Sequence, residues 1–353
     1  MKTKRVYQYS VSVAFDGSNN QISTVGKVEA EYPNGHGNKD LFHFYKTKVL
    51  LQLTRSVRYE DGSILTNKDN SINLQILKAV LCYFATADYF PMIKSVEIIR
   101  KKEGEDDYQY KETQSINQIL NNSIVRKHAC NSSIVYDALA ENEKGKAIRI
   151  ALAYWLKGIN MSDCFLRFDC FWRSFNRLYG YHGHGQNETD SLRALRSLIL
   201  ANPACFSNSV AAACAFPLDE LKSFRWSRMI LNDYDTSAKT QALVDFIKRY
   251  SDSRIMQILH EKLKCREKFL IALGKKTEVD SHIFANSATV NDIELVSIIC
   301  IKYAYFVRNK LFHAEMLDGH FKLKDDNFTS EMKRINSVFE VFLLDLITSS
   351  DIL

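Results

Sequence analysis

Proline and glycine are scarce, four and thirteen in 353 residues. Both interrupt regular elements, so their rarity leaves long windows open to helix. No apolar run approaches the roughly 20 residues that a membrane-spanning helix needs. The opening residues, MKTKRVYQYSVSV, are basic and then alternating, without the continuous apolar core of a secretory signal. No two cysteines stand as C-x-x-C, so zinc-ribbon and thioredoxin-type chemistry have no support. Phosphate-loop, H-E-x-x-H and G-x-S-x-G patterns are missing as well. Repeats of about 20–50 residues and low-complexity tracts are equally absent. These gaps lead to the expectation of a cytoplasmic protein with reduced thiols, no metal, no cofactor and no membrane segment.

What is present is an ordinary globular balance, 46% hydrophobic and 25% charged. A chain this long suits two domains rather than one core. Eight cysteines are dispersed, and most lie in apolar helical windows, where cysteine packs as a small hydrophobe. The formal charge of +6 permits contact with a phosphate backbone without requiring it.

The pattern changes along the chain. Residues 5–15 (RVYQYSVSVAF) alternate in the period-2 manner of a half-buried strand. Further strands are expected at 21–31, 41–58 and 93–100, with a helix over 72–89 closed by Pro91. The charged stretch 101–112 (KKEGEDDYQYKE) reads as either a linker or an exposed hairpin. Beyond it strand signals fade. Helical windows fall at 115–122, 144–156, 164–179, 190–200, 218–231, 237–250, 254–273, 290–312 and 329–348. The expected fold is α+β: a small α+β module over 1–112, then an all-helical domain over 113–353.

The chemistry concentrates in 290–316, VNDIELVSIICIKYAYFVRNKLFHAEM. Asn291-Asp292 offers a helix N-cap, and Ile293, Val296, Ile299, Cys300, Tyr303, Phe306 and Val307 build an apolar stripe. The helix then turns polar and delivers Arg308, Asn309 and His313 within six residues. The architectural alternative makes Arg308 a helix C-terminal cap and His313 a packed core histidine.

R-N-x-x-x-H near the end of the penultimate long helix, followed by one more helix, resembles the signature of the HEPN ribonuclease family. Phe171–Tyr179 (FWRSFNRLY) also resembles an early helix of bacterial defence-type members. The resemblance covers 164–353, with 190–273 a longer insertion than the minimal family core. It implies an all-helical domain and a metal-independent RNA-cleaving site built from Arg308 and His313. It also implies a homodimer whose two copies complete one cleft, in antiviral defence or toxin-type growth arrest. The N-terminal module would then meet a trigger ligand or protein, or restrain the nuclease. Glu315 occupies the place where toxin members paired with a nucleotidyltransferase carry a tyrosine, so that regulation is not carried over.

The residue types suit the chemistry on their own. An imidazole titrating near pH 6.5 can take the proton of a 2′-hydroxyl. A guanidinium fork matches the oxygens of a phosphate gaining charge. Asn309 can orient the histidine or donate to phosphate. Five residues apart on an ideal helix, Arg308 and His313 diverge by about 140°, hence the need for a helix end or a second subunit. The alternative from another class is a non-catalytic HEPN-like module for RNA binding or dimerisation. A third reading is a scaffold acting through its N-terminal half.

Other constellations are weaker. Arg177 to His182 repeats the spacing without the asparagine and runs into glycines, which reads as a loop. His182-Gly183-His184 lacks a nearby carboxylate pair, and Glu220-Leu221-Lys222 after Asp219 lies in a helical window rather than a strand. Arg167, Arg173, Arg177, Arg193, Arg196, Arg225 and Arg228 fit either an RNA groove or a solvated face.

Overall fold

The computed structural model describes residues 6–33, 35, 37–59, 62–102, 107–113, 116–118, 120, 126–312, 324 and 326–353. The N-terminal part is a six-stranded antiparallel sheet in the order β2-β3-β4-β1-β5-β6. The strands are β1 (Tyr7–Phe15), β2 (Lys27–Glu31), β3 (Lys39–Phe44), β4 (Lys48–Arg55), β5 (Ile93–Lys101) and β6 (Tyr108–Glu112). Helix α1 (Ser71–Thr86) covers one face. Alternation puts Tyr7, Tyr9, Val11, Val13 and Phe15 on the buried side, where the Phe15 ring stacks on Tyr83 of α1 at 3.7 Å. A buried fork joins β3, β4 and α1. Arg55 donates to both Asp40 oxygens at 2.7 and 2.6 Å, and Gln75 donates to the same carboxylate at 2.8 Å.

Three local expectations need correction. The strand expected over 41–58 is a hairpin, closed where the Tyr45 amide donates to the Lys48 carbonyl. Its turn, Tyr45-Lys46-Thr47, contains no glycine, proline or asparagine, so the alternation runs through it unbroken. The strand expected from 21 begins only at Lys27, because Asn19 caps a single helical turn, Asn20–Ser23, and Gly26 turns the chain at φ +66°. Of the two readings of 101–112, the hairpin matches β6, which pairs with β5. Half of the helix expected over 115–122 falls outside the described residues, and 116–118 and 120 are not helical.

The remainder is mostly helical. Its main elements are α2 (Glu143–Asn160), α3 (Cys164–His182), α4 (Glu188–Ala201), α5 (Ser207–Cys214), α6 (Trp226–Asp233), α7 (Thr240–Ile247), α8 (292–312) and α9 (Asn327–Thr348). Asparagine or aspartate side chains cap the first amides of α1, α2, α3, α4 and α9. Helix α9 runs through the interior, with Phe339 and Phe342 packed on Phe175 of α3 at 5.4 and 5.8 Å. No single helix among the described residues is long and apolar enough to cross a membrane.

One buried core runs from the sheet through α1 into α2, α3 and α9. Arg126 fastens this junction. Its guanidinium donates to the Phe84 carbonyl and, at 2.8 Å, to that of Ala85, both in the last turn of α1. These carbonyls have no intrahelical partner; Arg126 donates to both, the Cys130 amide joins it on Ala85 at 2.9 Å, and the guanidinium places positive charge at the negative helix end. Burial pushes the Arg126 guanidinium down to about 10, so it stays charged at neutral pH. Arg126→Ala is expected to cost about 3 kcal/mol. The readout is a lower thermal midpoint, and an unchanged midpoint would show that the junction does not depend on it.

Candidate functional site

Helix α8 is α-helical over Asp292–Ser297 and Ala304–Phe312, with a π-helical turn at Ile298–Tyr303 between them. Burial goes further than one stripe: 293–301 are continuously buried, as are Tyr303, Ala304, Phe306 and Val307. A helix apolar all round must be enclosed all round. Asn291 stands at the cap position, but its side chain makes no capping bond. Instead Asp252, fully buried, accepts the Asn291 amide at 2.9 Å, and Arg254 bridges Asp252 to Asp292 at 2.7 and 2.6 Å.

The helix emerges at Arg308. Residues 308–311 are half-buried, so the polar pair neither vanishes into the core nor hangs free. Arg308 Nη1 donates to Asn309 Oδ1 at 2.9 Å, and the guanidinium lies 5.9 Å from the Trp172 ring of α3. The helix continues to Phe312, so Arg308 stands one turn before its last described residue. His313 lies outside the described residues.

One turn before Arg308, Tyr305 donates to Glu188 Oε2 at 3.1 Å, and Tyr179 donates to Oε1 at 2.8 Å. The Tyr305 ring also packs 6.0 Å from that of Trp172, the ring against which Arg308 lies. Burial, with Glu188 adding to it, pushes both tyrosine hydroxyls up, so both remain neutral donors. Arg308, Asn309, Trp172, Tyr305, Glu188 and Tyr179 thus form one network drawn from α3, α4 and α8, with the Trp172 ring between its two halves. Gly183 permits the meeting of α3 and α4, since a Cβ there would sit 2.1 Å from Ser191 Oγ. Chemically, the outer edge presents a guanidinium and an amide beside aromatic rings, an arrangement suited to an anionic group.

Sequence reasoning singled out Arg308 and Asn309 and placed Trp172 and Tyr179 in a related stretch, but it missed Tyr305 and Glu188. Tyr305 was discoverable, because a residue three before Arg308 shares its helix face. Glu188 had no local signal.

The weaker constellations resolve differently. The loop expected around Arg177 and His182 is helix: α3 continues to His182, whose Nδ1 lies 3.4 Å from the Leu353 carbonyl. Gly180 inside α3 meets no neighbour, so its missing side chain breaks nothing. No group of three or more potential metal ligands occurs among the described residues. Arg167 donates to the Met161 carbonyl, while Arg173, Arg177 and Arg225 pair with Asp169, Glu143 and Glu331. Arg193, paired with Asp190, and Arg196 both line a cleft beside Tyr305.

Compared with known proteins, the chain matches no family model, no curated protein and no solved structure.

Proposed function

We propose that this protein is a metal-independent endoribonuclease of the HEPN type, with Arg308, Asn309 and His313 as its working residues. The observation that carries the reading is the place where Arg308 and Asn309 meet: half-buried, hydrogen-bonded together, beside Trp172, where an enclosed helix surfaces. That position gives the guanidinium low-dielectric surroundings on one side and solvent access on the other.

In the proposed reaction His313 takes the proton of a 2′-hydroxyl, and the oxygen attacks the adjacent phosphorus. The bond from phosphorus to the 5′-oxygen breaks, and that oxygen is protonated by an acid, the partner copy's imidazole in a homodimer. The products are a 2′,3′-cyclic phosphate and a 5′-hydroxyl. Arg308 holds the charge that builds on the phosphate oxygens, and Asn309 keeps the guanidinium aimed. The setting that goes with this reading is cytoplasmic, in antiviral defence or growth arrest, with the N-terminal module as sensor or restraint.

The test is end-labelled RNA incubated with the purified chain in EDTA. Cleavage leaving cyclic phosphate ends supports the proposal. Intact RNA that is nonetheless bound selects the non-catalytic module instead, and neither cleavage nor binding selects the scaffold.

A further inference from the structure

A cleft of about 300 Å³ opens between α4, the end of α6, α7 and α8, next to the network just described. It is built largely from the 190–273 stretch, which the HEPN resemblance leaves outside the family core. Its volume lies at the lower end of the small-molecule range, room for one compact ligand rather than a duplex.

The lining is cationic and aromatic. Arg193, Arg196, Arg249 and Lys302 face it, and no carboxylate does. Arg193 and Lys302 are neutralised by Asp190 and Asp233 at 3.1 and 2.5 Å. Arg196 and Arg249 have no ion-pair partner among the described residues. Arg196 instead donates to the Arg249 carbonyl at 2.9 Å and lies over the Tyr250 ring at 5.1 Å, which fixes the plane of its guanidinium. Its Nε is buried and makes no hydrogen bond. Two arginines without a counter-charge on one wall, with no carboxylate facing them, suit an anionic group. Tyr234 and Tyr305 line the same space, and flat rings favour a flat ligand.

We infer that this cleft binds a single nucleotide, with its phosphate on Arg196 and Arg249 and its base against Tyr305 and Tyr234. Inorganic phosphate alone leaves the aromatic wall unused, and a nucleoside alone leaves the two arginines unpaired. The assignment stands whether or not Arg308 cleaves RNA. The nucleotide comes either free or as one unit of an RNA strand. Because Tyr305 also bonds Glu188 and packs against the Trp172 ring beside Arg308, an occupied cleft sits in direct contact with the Arg308 network.

Calorimetric titration of the full chain decides the matter. The probes are the four ribonucleoside 5′-monophosphates taken singly, adenosine, inorganic phosphate, and a 2′-O-methylated pentanucleotide that resists cleavage. At least one nucleotide or the pentanucleotide should bind about tenfold more tightly than adenosine and phosphate. Arg249→Ala and Arg196→Ala should each weaken it by about tenfold or more. Arg249 is exposed, so its variant keeps the melting temperature and separates lost binding from lost folding. Binding by the monophosphate identifies a free nucleotide, and binding by the pentanucleotide alone identifies a strand. Failure of every nucleotide probe, or binding that ignores both substitutions, overturns the inference. Cleavage in EDTA is scored separately, so a dry cleft and an inactive Arg308 are distinguishable results.

Discussion

Arg308→Ala should slow RNA cleavage by about 10²–10³-fold, the usual loss when a donor aimed at developing charge is removed. The effect belongs in kcat, with KM little changed, because the guanidinium is needed most where the phosphate carries extra charge. Arg308→Lys should fall between the two, since an ammonium restores the charge but not the planar fork. His313→Ala should cost about 10²–10⁴-fold, in the range of a lost general base. In the parent protein the rate should pass through a maximum in the imidazole range, because the base must be neutral while the partner copy's acid is protonated. Single-turnover assays on labelled RNA, paired with melting curves, provide the check. If Arg308→Ala cleaves at the parental rate, or loses activity only in step with its melting temperature, the guanidinium is architectural and the nuclease reading falls.

The second large effect concerns stability. Asp345 of α9 is buried and accepts three bonds at the start of α5: from the Ser209 amide at 2.8 Å, the Ser209 hydroxyl at 2.5 Å and Asn208 at 2.7 Å. A carboxylate facing the first turn of a helix is favourably placed. Asp345→Ala leaves those donors buried without an acceptor and should cost about 3 kcal/mol. Asp345→Asn keeps one acceptor and removes the charge, so it should cost less. Burial nonetheless raises the Asp345 carboxyl above its usual range, the bonds from Ser209 and Asn208 opposing it. The folded chain therefore takes up that proton before the unfolded chain does. Stability from this group is fully present below the ordinary carboxylate range and is lost as pH rises through the elevated folded value. The parent's advantage over Asp345→Asn should shrink from acid towards neutral pH in denaturant titrations. An advantage that grows instead would mean that the hydrogen bonds outweigh the cost of burial.

How much was legible beforehand follows from how far apart the determining residues stand. Period-2 alternation marked β1, and helical spacing marked α1, α2, α3, α4, α8 and α9, because each writes its core face in consecutive residues. The α+β arrangement with its helical second half was legible for the same reason. Short helices escaped. Helix α5 (SNSVAAAC) buries only Ser209 and Ala213, and Lys276–Ala285 only Val279 and Ile283, too little for a stripe. The window 254–273 divides into Ser253–Lys262, a 3-10 turn at Leu263–Arg266 and Glu267–Ala272. The turn forms where the Arg266 side chain reaches back to the carbonyls of Asp235 and Thr236, a contact no window contains. At the site, Arg308 and Asn309 were visible as polar residues ending an apolar run. Glu188 was not, because it meets Tyr305 across 117 positions of chain. The cationic cleft escaped in the same way: Arg193 and Arg196 looked like the rest of a solvated face until α7 brought Arg249 beside them.

The wide turn at Ile298–Tyr303 carries a consequence for how this chain tolerates insertions and deletions. A π turn holds one more residue than the α turn it replaces, so it acts as local slack. The segments on either side are held independently, Asp292 by Arg254 and Tyr303 by Glu331, whose carboxylate receives its hydroxyl at 2.7 Å. Losing one residue inside that turn lets the ladder close to ordinary pitch while both anchored ends keep their phase. Losing one between Ala304 and Val307 has no such reserve. It swings Arg308 by about 100° around the axis and aims the guanidinium away from Trp172.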